Sequence, residues 1–232
     1  MKPVLTAVSV AKRFGTTEAL IDGTVTLAAG EFVALLGPSG SGKTTLFRCL
    51  TRLIEPDAGQ IHLDGRPIQH LKGARLRAAR RQIGVVFQQF NLVRRRSALT
   101  NVLTGFLPDI PLWRVASGCY PAAALARAEA ALGAVGLAAK AHQRADTLSG
   151  GQQQRVAIAR ALAQESRILL ADEPVASLDP ETAAQTLELL RELCRIRGLA
   201  VLCTLHQPQL AERYADRVIG MHAGRVLQRR EV

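Results

Sequence analysis

Residues Gly37-Pro38-Ser39-Gly40-Ser41-Gly42-Lys43-Thr44 stand between two apolar runs, Phe32 to Leu36 before them and Leu46 to Leu50 behind. The first run predicts a buried strand and the second a helix that opens directly after the loop. Glycines at 37, 40 and 42 leave successive backbone N–H groups free to turn toward an oxyanion, and the helix N-terminus adds its positive dipole end. The stretch therefore reads as an anion cradle. Its G-x-x-x-x-G-K-[ST] spacing is complete and sits in the strand–loop–helix context that gives the pattern meaning.

A cradle of this type takes a nucleotide polyphosphate. Lys43 is expected to reach the β- and γ-phosphates and the Thr44 hydroxyl to ligate Mg²⁺. Catalysis would then be positioning and charge neutralisation, with no covalent intermediate.

Composition bounds what surrounds the loop. The chain has 232 residues, enough for one substantial core, so a single nucleotide-binding unit with at most one inserted subdomain is expected. A formal charge of +11 fits an anionic partner: nucleic acid, a membrane surface, a phosphate-rich ligand or an acidic protein face. Cys49, Cys119, Cys194 and Cys203 are scattered without a C-x-x-C pair, which argues against a zinc site or a disulfide framework and favours a reducing cytoplasm. The start, Met1-Lys2-Pro3-Val4-Leu5, lacks a signal-peptide core, and no stretch approaches the ~18 apolar residues of a transmembrane helix. Any membrane role is expected to come through a partner.

Val4 to Val10 and Thr24 to Ala28 read as short β segments ahead of the loop, and Phe14 lies just before a turn, where its ring can stack. Gln60 to Asp64 alternates and closes at Asp64-Gly65, predicting an edge hairpin. Lys72 to Arg81 reads as the solvated face of a basic helix. Ile83 to Phe87 is an apolar strand that delivers Gln88 at its carboxyl end, where α/β sheets bind ligands. From Asn91 to Thr147 the period becomes helical, with Leu125, Ala128, Leu132 and Val135 in register before Gly136. Within it, Phe106 to Arg114 is too apolar for a routine solvated loop and is expected to mark a partner site.

Leu148-Ser149-Gly150-Gly151-Gln152 begins a new helix, with Ser149 as its N-cap. Ile168 to Ala171 then forms a buried strand whose end presents Asp172 and Glu173 side by side, pointing in opposite directions. Asp179-Pro180 caps a helix from about Glu181 to Arg197, ended by Gly198. Ala200 to Leu205 is the next buried strand, with His206 at its end, and Arg217 to Val232 adds at most two strands.

In this order and spacing the motifs resemble the ATP-binding subunits of ABC transporters, from Phe14 to His206 and a little beyond. The signature Leu148 to Gln152, continued as far as Leu162, separates that family from other phosphate-loop ATPases. The resemblance implies an α/β fold: an ABC-type ATPase core with an antiparallel β subdomain (1–90 and 148–232) and an inserted α-helical subdomain (about 91–147). Phe87 to Leu92, Pro111 to Arg114, Ala141 to Arg144 and Ala171 to Asp179 are similar to the phosphonate-importer branch, which also takes related phosphorus oxyanions.

The resemblance also assigns roles. ATP would be bound by Phe14 against adenine, by Gly37 to Thr44 with Thr45, and, from a facing second copy, by Ser149, Gly150, Gly151, Gln152 and Asp179. Thr44, Asp172 and Gln88 would hold Mg²⁺, Glu173 would polarise the attacking water, and Gln88 and His206 would sense the γ-phosphate. Partners would be that second copy and a membrane permease, with an extracytoplasmic solute-binding protein indirectly, at the cytoplasmic face of the inner membrane. An exporter or lipoprotein-releasing subunit stays open as the nearer alternative. A nucleic-acid ATPase is disfavoured, because there is neither a heptad run of ~3–4 repeats nor a second phosphate loop.

Overall fold

The computed structural model describes residues 2–227. The antiparallel and loop-bearing first half holds β1 (Pro3–Phe14), β2 (Thr17–Leu20), β3 (Val25–Ala28), β4 (Phe32–Leu36), α1 (Lys43–Leu50), β5 (Ala58–Leu63), β6 (Arg66–Pro67), α2 (Gly73–Arg81) and β7 (Ile83–Val86). Three helices follow: α3 (Ala98–Leu103), α4 (Leu112–Ser117) and α5 (Ala122–Ala134). The chain then alternates through α6 (Gly150–Ala163), β8 (Ile168–Ala171), α7 (Pro180–Arg197), β9 (Ala200–Leu205), α8 (Pro208–Tyr214), β10 (Arg217–His222) and β11 (Arg225–Leu227). The last two are the strands expected after Arg217, and the remainder of that stretch, 228–232, lies outside the described residues.

Six strands make the central sheet, in the order β11-β10-β4-β9-β8-β7, parallel except for β11. Its middle strands are covered on both faces, so they read as unbroken apolar runs rather than alternating ones. The two-residue period still sorts them. Phe32, Ala34, Val86, Leu169, Ala171, Val201 and Cys203 enter one core with the helices α3, α5, α6 and α7. Val33, Leu35, Ile83, Leu170 and Leu202 enter the other, with α1 and the antiparallel sheet. Burying one such leucine or phenylalanine contributes roughly 1.5–3 kcal/mol. The exposed pair Arg13–Glu18, with side chains 62% and 54% accessible, contributes about 0–1 kcal/mol. The two apolar faces, not the surface ion pairs, set the sheet.

The antiparallel sheet runs β2-β1-β5-β6, with β3 also on β1. One expectation is corrected here: β1 is longer than the Val4 to Val10 segment, and its end folds back on β2, which the sequence did not signal. The expected edge hairpin is present: β5 and β6 pair at the rim of the sheet, and the other side of β5 pairs with β1, Leu63 opposite Leu5 and Ile61 opposite Ala7. The predicted turn at Asp64-Gly65 is present, with both residues at positive φ (48° and 76°).

Helix ends follow their caps. The Ser149 hydroxyl accepts from the Gln152 N–H while Gln152 Oε1 accepts from the Ser149 N–H, a reciprocal capping box. Asp179 accepts from the Thr182 N–H, Pro180 opens α7, and Gly198 ends it at φ 63°. The basic helix α2 exposes Arg75, Arg77 and Arg81, as expected of a solvated face, while Arg80 is half-buried and donates to the carbonyls of Thr51 and Arg52 at the end of α1.

The helices between 98 and 134 share a single core with α6, α7 and one face of the central sheet. The segment is also tied at its base, where Ala145 donates to the Arg96 carbonyl and Ala98 to the Gln143 carbonyl. Within the apolar run at 106–114, Phe106 and Ile110 are buried in that core, whereas Trp113 is 64% exposed beside the Arg114 guanidinium. The expected exposed patch is therefore narrower than the run. Among the described residues no helix is long and apolar enough to cross a membrane.

α6 lies so close to β7 that a Cβ on Gly84 would stand 2.7 Å from Ala161 Cβ and 2.8 Å from Ser166 Oγ. Glycine is needed there for close approach, since its φ is ordinary. Gly84→Ala is expected to destabilise the fold by about 1–3 kcal/mol through overpacking. A urea midpoint equal to that of the wild type would refute this.

Candidate active site

The phosphate-loop candidate lies at the carboxyl edge of the central sheet, between β4 and α1. Its glycines are set by contact as much as by backbone freedom. A Cβ at Gly37 would lie 2.4 Å from the Met221 carbonyl oxygen, and one at Gly42, which has φ 105°, would lie 2.5 Å from that of Ala19. Lys43 is 5% exposed, and its Nζ donates to the carbonyls of Gly37 (2.8 Å) and Pro38 (3.1 Å). Both partners are neutral, and among the described residues no carboxylate pairs with the ammonium. That is a site for an anion. The adjoining cleft, about 320 Å³, is lined by Glu18, Ser39, Lys43, Thr44, Thr45 and Glu173, among others.

The acid pair stands on the same rim. Leu170 faces the α1 side of the sheet, so two residues on Asp172 does too, and there its Oδ2 accepts from the Thr44 hydroxyl at 3.1 Å. Glu173 diverges from Asp172, as expected, but not by strand alternation. β8 ends at Ala171, and Glu173 turns the chain at φ 49°, a left-handed conformation that a residue with a Cβ adopts at a cost. Its carboxylate is then free to meet His206, whose Nε2 lies 2.6 Å from Glu173 Oε1. Beneath the pair is a pocket of about 150 Å³ lined by Val175, Leu178, Leu205 and Leu210.

One residue to which the sequence reading gave no role binds the two acids together. Thr204 is fully buried on β9, and its hydroxyl donates to Asp172 Oδ1 (3.0 Å) and accepts from the Glu173 N–H (2.6 Å). The signal was present as a lone hydroxyl in the apolar run Ala200 to Leu205. Next to it, burial pushes the Cys203 thiol well above its ordinary range, so that sulfur stays neutral.

The other candidate residues are not gathered in. Gln88 is two residues past the end of β7, exposed, and lines neither cavity. Phe14 ends β1 opposite Thr17, its ring 47% exposed with the Lys12 ammonium 5.8 Å from its centroid. Ser149, Gly150, Gly151 and Gln152 stand at the start of α6 and line neither cavity. There a Cβ on Gly151 would come within 2.1 Å of Thr182 Cγ2, so this glycine is required for α6 to meet α7. Asp179 is the cap of α7, and the Thr182 hydrogen bond holds its carboxyl below the usual carboxylate range.

The ABC transporter family model matches residues 20–176. The chain is 53% identical to the phosphonates import ATP-binding protein PhnC of Frankia casuarinae, over 94% of this chain and 86% of that protein. It is 51% identical to the phosphate-import ATP-binding protein PhnC of Mycolicibacterium smegmatis, over 96% and 84%. Among solved structures it is similar to the dimeric, post-hydrolysis ATP-binding cassette MJ0796 bound to ADP and Pi. That match has 35% identity and a TM-score of 0.79, covering 98% of this chain and 100% of that one. With the loop, the acid pair and His206 on one sheet edge, and with these relatives, the chain belongs to the ABC transporter family as one of its ATP-hydrolysing subunits.

Proposed function

We propose that this chain is the motor of an importer for phosphonates or a related phosphorus oxyanion such as phosphite or hypophosphite. One observation carries the motor reading: Lys43, Thr44 and Glu173 line one cleft, where Thr44 meets Asp172 at 3.1 Å and Glu173 meets His206 at 2.6 Å. The substrate class is supported by the names of its half-identical relatives, which favour import over the exporter alternative.

Lys43 and the loop from Gly37 to Thr45 hold the β- and γ-phosphates, and Phe14 stacks on adenine. Thr44 and Asp172 offer hard oxygen donors, and among the described residues no three His, Cys, Asp or Glu side chains cluster. This donor set fits Mg²⁺ bound by few protein groups together with phosphate oxygens, with Gln88 as a further ligand on the same edge. Mg²⁺ bound there neutralises charge developing on the phosphates. Glu173 takes the proton of the attacking water, with His206 holding its carboxylate in place. A second copy supplies Ser149, Gly150, Gly151, Gln152 and Asp179, none of which lines the Lys43 cleft of its own chain, which supports a paired site. In this reading residues 1–90 and 148–232 are the ATPase core, and about 91–147 is an inserted helical arm whose residues 91–120 dock on the permease.

Glu173→Gln is expected to bind ATP without hydrolysing it and to accumulate as a dimer, because the base is lost while the phosphate contacts persist. Size-exclusion chromatography with ATP that shows only monomer would count against the paired site. Trp113→Ala, which removes the exposed ring on the arm, is expected to weaken co-purification with the membrane permease; undiminished recovery of the complex would remove the docking assignment. A host deleted for this gene is expected to fail on phosphonate, phosphite or hypophosphite as sole phosphorus source and to grow on orthophosphate. Normal growth on all three, in a strain without a redundant importer, would reject the substrate class.

A further inference from the structure

We infer that Thr204 is a positioning residue for ATP hydrolysis: its hydroxyl fixes the separation between Asp172 and Glu173, so that one serves the Thr44 side of the site and the other the His206 side. The inference rests on the hydrolytic reading of that acid pair.

The argument begins where β8 leaves the sheet. The ladder between β8 and β9 ends at the pair Ala171 and Cys203. Asp172 still donates its N–H to the Val86 carbonyl on β7, but Glu173 has turned into the left-handed region and has no strand carbonyl opposite it. An amide drawn out of water without an acceptor is disfavoured, and this one is partly buried. Thr204 supplies the acceptor from its side chain, at 2.6 Å.

The same oxygen has one proton to give, and it goes to Asp172 Oδ1 at 3.0 Å. That leaves Oδ2 for Thr44. A single hydroxyl therefore sets the rotamer of Asp172 and the backbone turn of Glu173 at once. Valine has nearly the same shape but can do neither, whereas serine keeps both bonds.

Purified full-length Thr204→Val and Thr204→Ser proteins, each checked for an unchanged melting curve, distinguish this role from packing. Thr204→Val is expected to lose roughly tenfold to a hundredfold in kcat, with KM for ATP and equilibrium ATP binding within about threefold of wild type, since the phosphate cradle is untouched. Thr204→Ser is expected to recover most of kcat. The proposal is overturned if Thr204→Val turns over within about twofold of wild type, or if Thr204→Ser is as slow as Thr204→Val, which would mean that shape alone is needed. Should Thr204→Val not fold, Thr204→Ala is judged against Thr204→Ser by the same criteria. Glu173→Gln run alongside separates the two readings: full hydrolysis by that variant would remove the acid-pair assignment itself, whatever Thr204 does.

Discussion

Burial of β4, β8 and β9 on both faces is the constraint from which the site follows. Inside such strands no polar side chain can reach water, so residues 32–36, 168–171 and 200–205 are apolar at every position but one. Polar chemistry can begin only where each strand leaves the sheet. Because the strands are parallel, those exits lie on one edge, and Lys43, Asp172, Glu173 and His206 meet there although up to 163 residues separate them in sequence. The exception, Thr204, is tolerated in the interior because both capacities of its hydroxyl are used.

The local cost at this edge is concentrated at Glu173. A left-handed residue with a side chain costs of order 1–3 kcal/mol and persists only when its surroundings hold it. Here the holding is explicit: the Thr204 oxygen on its amide and the His206 imidazole on its carboxylate. The strain has a chemical outcome, since an extended Glu173 would continue the strand instead of turning its carboxylate to His206.

Legibility in the sequence tracked how local the physics was. The phosphate loop, the Ser149 and Asp179 caps and the buried strands depend on nearest neighbours in the chain, and each was readable. Thr204 was passed over because its partners, Asp172 and Glu173, lie 32 and 31 residues away, and a threonine in a strand is ordinary for its β-propensity. β2 was missed because Thr17 to Leu20 carries no alternation, and its pairing with the end of β1 creates the strand. Phe106 and Ile110 looked available to a partner because apolarity does not say which side of a helical turn the core will take.

Ser149 and Gln88 belong to the same machinery in sequence yet lie outside the cavities, and the fold shows how they are joined to each other. Arg160, on α6, donates to the carbonyls of Phe90 and Asn91, two consecutive left-handed residues just after Gln88. Burial disfavours the charged form of that guanidinium, lowering its pKa, and so makes two carbonyl acceptors worth keeping. Ser149 caps the same helix, so the 88–91 turn and the Ser149 turn are attached to the two ends of one element. The sheet edge that holds the acid pair is fixed by two buried faces. The turn bearing Gln88 is tied both to that edge and to the helix that Ser149 caps: it follows β7, whose Val86 carbonyl accepts from the Asp172 N–H, and Arg160 holds it to α6.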